Sequence, residues 1–246
     1  MKRRLSVPFA LTMLLVGGCQ GPLAGSPSGG VDSPSPVTSA EPTPPSPTSP
    51  AAPSTLESPS PSLALALEAG EVDGLTFGKP AGWTTVGGAA PETAALVEAL
   101  RAAQETAGTE LLAPGVVAAE IEGISMVGTG AVAFEPASMG VDGALVVTVI
   151  PNDALPAADR SLPSLETAVT AQLDAMEPTE RTDPETISVP LGESVRASAT
   201  MSSGHVVHRA GIVGSSAVYQ VVFVTKLTAD ESDQVFEVIL SSINDA

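Results

Sequence analysis

Apolar and polar positions divide the chain into three stretches. Residues 5–16 form one short apolar run, residues 20–62 show no periodicity, and residues 63–246 switch between periods of two and of about 3.6. Within the last stretch, Leu75 and Phe77 share one face of a short strand over 75–79, with Thr84–Val86 as its continuation. Residues 91–106 predict a helix: Leu96, Val97, Leu100 and Ala103 form the apolar stripe, and Glu98 and Arg101 face outward. Pro91 suits its first turn and Gly108 its exit. Residues 111–121 are apolar but broken by Pro114 and Gly115, and fit neither period. Strands follow over 124–134 and 144–150, joined by a loop too long for a tight hairpin turn. A second helix spans 162–176, with Leu165, Val169, Leu173 and Met176 on one side and Ser161 as its candidate cap.

The second half reads as hairpins. Strands over 185–190 and 194–201 turn at Gly192, and strands over 205–213 and 217–226 are joined through Gly214-Ser215-Ser216. In the last of these, Val218, Val222 and Val224 alternate with Tyr219, Val221 and Phe223. Both faces are apolar, as in a central strand covered on both sides. Thr228-Ala229-Asp230-Glu231 has the capping-box pattern, and Val235, Phe236, Ile239, Leu240 and Ile243 line one face of the helix it opens. Hairpins imply antiparallel pairing. The domain 63–246 is therefore expected to be α+β, an antiparallel β-sheet flanked by three helices.

The amino-terminal run changes the picture from a domain to a delivered domain. Lys2, Arg3 and Arg4 precede an apolar segment too short to span a bilayer, and Val16-Gly17-Gly18-Cys19 follows. This resembles the bacterial lipoprotein signal: an aliphatic residue, two small residues and a cysteine whose sulfur takes the diacylglyceryl group. Residues 1–18 are then a signal peptide cut between Gly18 and Cys19. Cys19, the one cysteine of the chain, becomes the lipidation site. Two acyl chains on one residue exceed the marginal hold of a single chain. The expected location is extracytoplasmic, on the outer face of the cell membrane.

Residues 20–62 hold 12 prolines, 11 serines and 4 threonines, with no Lys, Arg or aromatic residue. So little apolar surface cannot offset the entropy of ordering the backbone, and 19–62 is expected to be a disordered tether of polyproline II character. Its extended reach is on the order of 130 Å. Ser and Thr beside Pro are also candidate acceptors of O-linked sugars.

Charge and composition exclude several function classes. A formal net charge of −18 disfavours nucleic acid, which needs a basic face, and 3% aromatics leave few stacking platforms. One cysteine excludes an intramolecular disulfide and a multi-cysteine metal site. The surplus of carboxylates favours basic partners or bridging divalent cations.

The chemical motifs are sparse. Gly128-Thr129-Gly130-Ala131-Val132-Ala133 matches a dinucleotide fingerprint, but AVAFEP after it reads as strand where a phosphate-binding helix is required. His205 and His208 are the two histidines; a spacing of three on a strand puts them on opposite faces, so they do not share a metal. No G-x-S-x-G elbow occurs; Ser202 and Ser203 lie near His205 in a turn. Glu120 and Glu122 share a face if that stretch is extended, and Asp230, Glu231 and Asp233 miss the calcium-loop spacing. Trp83, after Pro80 and Gly82, reads as a core cap under a sheet edge and is the weak candidate for ligand binding. No catalytic residue, metal or cofactor is assigned.

The stretch Phe77-x-x-Pro80-x-Gly82-Trp83 is similar to the opening of PsbP-like domains, an element also found in LpqN-type actinobacterial lipoproteins. ALVVTVIPND at 144–153, VPLGESVRA at 189–197, and VYQVVFVT with the helix ending Leu240-Ser241-Ser242-Ile243 resemble later parts of that pattern. Ile243 stands where the family commonly has Phe. The resemblance implies an antiparallel sheet between helices, with non-catalytic binding or assembly roles at membranes, and carries over no catalytic residue.

Three functions remain in view. The first is a lipid-anchored envelope module, a monomer, that binds a protein or lipid ligand in a groove beside the sheet. The second is an envelope hydrolase in which a serine and a carboxylate converge on His205 or His208. The third is an accessory or sensor subunit that docks to a membrane complex through an apolar patch.

Overall fold

The computed structural model describes residues 66–72, 74–88, 90–107, 112–127 and 129–245. The signal segment, Cys19, the tether, the start of the domain, Gly108 and Gly128 lie outside the described residues.

A hairpin of β1 (Leu67–Val72) and β2 (Leu75–Pro80) comes first, and β3 (Thr84–Gly87) follows. Helices α1 (Pro91–Ala107) and α2 (Leu112–Val127) precede β4 (Gly130–Phe134) and β5 (Gly143–Pro151). Two short 3-10 turns lead into α3 (Leu162–Asp174). The remaining elements are β6 (Glu180–Arg181), β7 (Glu185–Val189), β8 (Gly192–Thr200), β9 (Val206–Gly214), β10 (Ala217–Thr225), α4 (Ala229–Ser242) and β11 (Asn244–Asp245). Among the described residues the main sheet runs β3-β4-β5-β10-β9-β8-β6, with β7 also paired to β8. All these pairings are antiparallel. A smaller sheet runs β1-β2-β11.

Both faces of the main sheet are covered, which makes this an α+β fold of an antiparallel sheet flanked by helices. On one face, Leu96, Leu100, Val117, Ile121 and Ile124 of α1 and α2, with Val169 and Leu173 of α3, pack on Val146, Val222 and Val224. On the other, Phe236, Ile239 and Leu240 of α4 and Leu75 and Phe77 of β2 pack on Leu145, Tyr219, Val221 and Phe223. Strand β10 lies between β5 and β9 and feeds both cores, as its doubly apolar pattern predicts. Each fully buried side chain of this size contributes about 1.5–3 kcal/mol.

The structure differs from the sequence reading at four places. Residues 112–127 form a fourth helix, so the strand expected over 124–134 begins only at Gly130. The stripe Val117, Ala118, Ile121, Ile124 is buried at helical spacing. The β-branched residues and Pro114-Gly115 obscure it, although a proline in the first turn of a helix is tolerated. Close packing helps to hold α2 in place: a Cβ on Gly88 would lie 1.6 Å from Ile124 Cγ2, and Ser125 Oγ donates to the Gly88 carbonyl at 2.9 Å. Secondly, Thr84–Gly87 does not extend β2; the chain turns at Gly82, φ +82°, and β3 joins the other sheet. Thirdly, Leu67–Val72, Glu180–Arg181 and Asn244–Asp245 add strands. Finally, Ser161 stands at the N-cap of α3, but its hydroxyl donates back to Ala158 O at 3.0 Å and caps nothing. The Thr228–Glu231 capping box forms in full.

Candidate functional site

A groove of about 310 Å³ opens beside the main sheet, at the amino end of α4. Arg196 and Ser198 of β8 and His208 of β9 form its floor. One wall is the first two turns of α4, with Asp230, Asp233 and Phe236. The other is the segment Thr182–Glu185, where the sheet edge passes from β6 to β7. Alternation along β8 produces the floor: Ser194, Arg196 and Ser198 take the α4 face, while Val195, Ala197 and Ala199 enter the cores on the opposite face.

Arg196 is the electrostatic centre. Its side chain is 8% exposed and meets Glu185 at 2.6 Å, Glu237 at 2.9 Å and Asp233 at 3.5 Å. The contact to Asp233 is an ion contact without a hydrogen bond, because Arg196 Nη1 has no hydrogen-bond partner among the described residues. Asp183 and Asp230 also line the groove, and no ion pair engages them among the described residues. Carboxylates therefore outnumber the single guanidinium. Asp233 has its pKa raised, first by burial and then by Glu237, Glu185 and Asp230, against the opposing pull of Arg196.

His208 is 2% exposed and its ring lies against Phe236 at 5.0 Å and Phe223 at 6.1 Å between centroids. The tautomer follows from its neighbours. Ser232 Oγ donates to the Ala229 carbonyl at 2.9 Å, and a carbonyl can only accept. The 2.8 Å contact between Ser232 Oγ and His208 Nε2 must then be donated by Nε2–H. Nδ1 is left with a lone pair, 4.0 Å from Asp233 Oδ1. Burial, helped by the Arg196 charge, lowers the His208 pKa to about 4, so the ring is neutral at pH 7. A serine and a carboxylate do converge on this imidazole. The polarity is wrong for a hydrolase: Ser232 is fully buried and accepts a hydrogen bond from the ring nitrogen that would have to take its proton.

His205 has the reverse arrangement. Nε2 lies 3.0 Å from the Val141 carbonyl and must donate to it, so Nδ1 accepts from Ser203 Oγ at 2.8 Å. Burial lowers its pKa as well. His205 and His208 point to opposite faces of the sheet, as their spacing predicts: His205 toward the β4–β5 loop, His208 toward α4.

The other expected residues fall elsewhere. The Trp83 ring is half-buried, 6.1 Å from Phe223, and rests against Gly143, where a Cβ would come within 2.5 Å of Cζ2. It caps the core on the α4 face of the sheet, away from the groove lining. Glu120 and Glu122 lie on a helix and do not form a pair: Glu120 binds Arg209 at 2.5 Å, and Glu122 binds Arg101. Gly130 opens a strand at φ +146°, so the fingerprint lacks its helix. Among the described residues no group of three or more His, Cys, Asp or Glu is arranged to hold a metal ion. Cys19 lies outside the described residues. Sequence reading missed Arg196, whose partners are 11 to 41 residues away. The available signal was a charged residue midway along a strand with one apolar face.

No family model matches the chain, and no curated protein matches it. In fold, the chain is similar to the solution structure of cyanobacterial PsbP (CyanoP) from Synechocystis sp. PCC 6803, with a TM-score of 0.41 and 15% identity over 78% of this chain and 99% of that one.

Proposed function

We propose that this is a lipid-anchored protein of the cell envelope, of the LpqN-type kind, whose acidic α+β domain is a non-catalytic binding module. Residues 1–18 direct export, acyl chains on Cys19 hold the chain to the outer face of the membrane, and 19–62 space the domain from it. The α4 groove carries the binding part of this reading. It is open and lined by the charged Asp183, Glu185, Arg196, Asp230 and Asp233, and the Nε2–H of its imidazole is held in an internal hydrogen bond. Those features suit recognition of a polar partner, a protein more than a lipid.

The test is performed in cells. A photo-crosslinking amino acid at Asp230, on the groove wall, is expected to give one discrete adduct in the membrane fraction. The same group at Glu92, on α1 across the sheet, is expected to give none. Cys19→Ala is expected to release the chain from the membrane. Equal adducts from both sites, or membrane retention of Cys19→Ala, would count against the reading.

A second reading rests on Ser203, whose hydroxyl donates to His205 Nδ1 with the Val141 carbonyl behind the ring. This is the polarity of an activated serine, backed by a backbone carbonyl where hydrolases have a carboxylate. It predicts labelling of Ser203 by a fluorophosphonate probe. No labelling, with His205 intact, would eliminate it.

A further inference from the structure

We propose that the α4 groove is a receptor for a lysine side chain presented by a partner protein, seated between His208 Nδ1 and Asp233 Oδ1; this deepens the binding-module reading and rests on it. Two acceptors stand 4.0 Å apart here. Among the described residues the only cation beside them is Arg196, whose Nη1 is 3.5 Å from Asp233 Oδ1 without a hydrogen bond to it. The Ser232 hydrogen bond fixes Nδ1 as a lone pair on a ring that is 2% exposed. The Asp233 oxygen lies 4.0 Å away, itself an acceptor when ionised. A separation of 4.0 Å lets one ammonium nitrogen lie within hydrogen-bond range of both acceptors.

Charge selects an ammonium over a neutral hydroxyl. Glu185 and Glu237 are committed to Arg196, whereas Asp183 and Asp230 at the rim have no cationic partner among the described residues. Burial, and after it the neighbouring Glu237, Glu185 and Asp230, raise the pKa of Asp233 against the pull of Arg196, and an added cation would favour its ionised form. Arg196 is the one opposing charge. Its Nη1 is buried, 3.5 Å from Asp233 Oδ1, and is not open to the incoming segment. An ammonium on a thin aliphatic stem suits a groove of about 310 Å³, at the small end of the range for ligand sites.

The experiment uses the isotopically labelled full chain and three blocked tripeptides, Gly-Lys-Gly, Gly-norleucine-Gly and Gly-Glu-Gly, followed by NMR. Gly-Lys-Gly is expected to shift the His208 imidazole and the Asp233 amide saturably, and the other two are expected to leave them unmoved. Asp233→Asn is expected to weaken the lysine peptide at least about tenfold. Glu92→Gln, an equal charge change on α1, is expected to leave affinity within about twofold. Asp230→Asn on the exposed rim serves as the second variant should Asp233→Asn fail to fold, and is expected to weaken binding about threefold or more. Shifts spread evenly over the acidic surface, equal losses in Glu92→Gln and the groove variants, binding of the norleucine peptide, or displacement of the lysine peptide by magnesium would each overturn the proposal. Membrane retention does not enter this measurement, so its failure leaves the anchored module standing.

Discussion

Arg196 and Arg209 stand one register step apart on neighbouring strands and project to opposite faces of the main sheet. Arg196 lies opposite Ala210, and Arg209 lies opposite Ala197. Each ties the sheet to the helices on its own side: Arg196 to Glu237 of α4, and Arg209 to Glu120 of α2 and Gln172 of α3. The two cations differ in use. Arg196 opens onto a groove, whereas Arg209 and Glu120 are closed in, with side chains 7% and 15% exposed.

The closed pair sets the first prediction. Removing one partner of a buried ion pair leaves an uncompensated charge and costs about 3–5 kcal/mol, whereas replacing both with apolar groups of similar volume is close to neutral. Glu120→Ala is expected to lower the unfolding free energy by about 3 kcal/mol, and the double change Arg209→Met with Glu120→Leu by much less. Urea denaturation of the single and double variants measures this. Equal losses in both would contradict it.

The depressed His208 pKa predicts acid sensitivity of stability. The unfolded ring titrates near 6.5 and the folded one at about 4. Between those values the unfolded chain binds a proton that the folded chain refuses. Stability is therefore full above pH 6.5, falls as pH drops, and has lost on the order of 3 kcal/mol by pH 4. His205, also lowered, acts in the same direction. Asp233, raised, acts oppositely at the acid end: its contribution is present at low pH and is lost as pH rises past its unfolded value. Denaturation at pH 7 and pH 4.5 is expected to show a much smaller pH effect in His208→Phe than in the natural chain. An unchanged pH effect would contradict the assignment.

Trp83, the one tryptophan, reports on its own packing. A methyl on Gly143 would lie 2.5 Å from Cζ2 and 2.8 Å from Cη2, so the indole must move. Gly143→Ala is expected to cost about 1–3 kcal/mol and to shift the fluorescence of the folded protein to the red. A variant with natural stability and emission would show that the ring does not rest on this glycine.

These examples show which parts of the molecule the sequence carries on its face. Strand β10 and helix α4 were readable because their periodicity is local: alternating valines and aromatics in one, a capping box and a clean apolar stripe in the other. Helix α2 was not, because Val116, Val117 and the Pro114-Gly115 pair hide a stripe that only burial against β5 makes plain. Position also decided the groove. Arg196 lies on β8, while Glu185, Asp233 and Glu237 reach it from β7 and α4, and no spacing along the chain announces the meeting. The histidines illustrate both halves: their opposite faces follow from strand geometry, but their serine partners follow from tertiary packing.

The two serine-type caps separate pattern from contact. Thr228→Ala removes a side chain that accepts from the Glu231 amide and is expected to cost about 1 kcal/mol. Ser161→Ala, where the hydroxyl turns back to Ala158, is expected to stay within about 0.5 kcal/mol. Thermal melts of the two variants side by side decide this, and a larger loss at Ser161 would reverse it.

The proposal of an anchored binding module depends most on Cys19. Peptide mass spectrometry of the protein extracted from native membranes addresses it directly. The account predicts a chain that begins at Cys19, with a diacylglyceryl group on the sulfur. A free thiol at Cys19, or an amino terminus beyond residue 19, would contradict it.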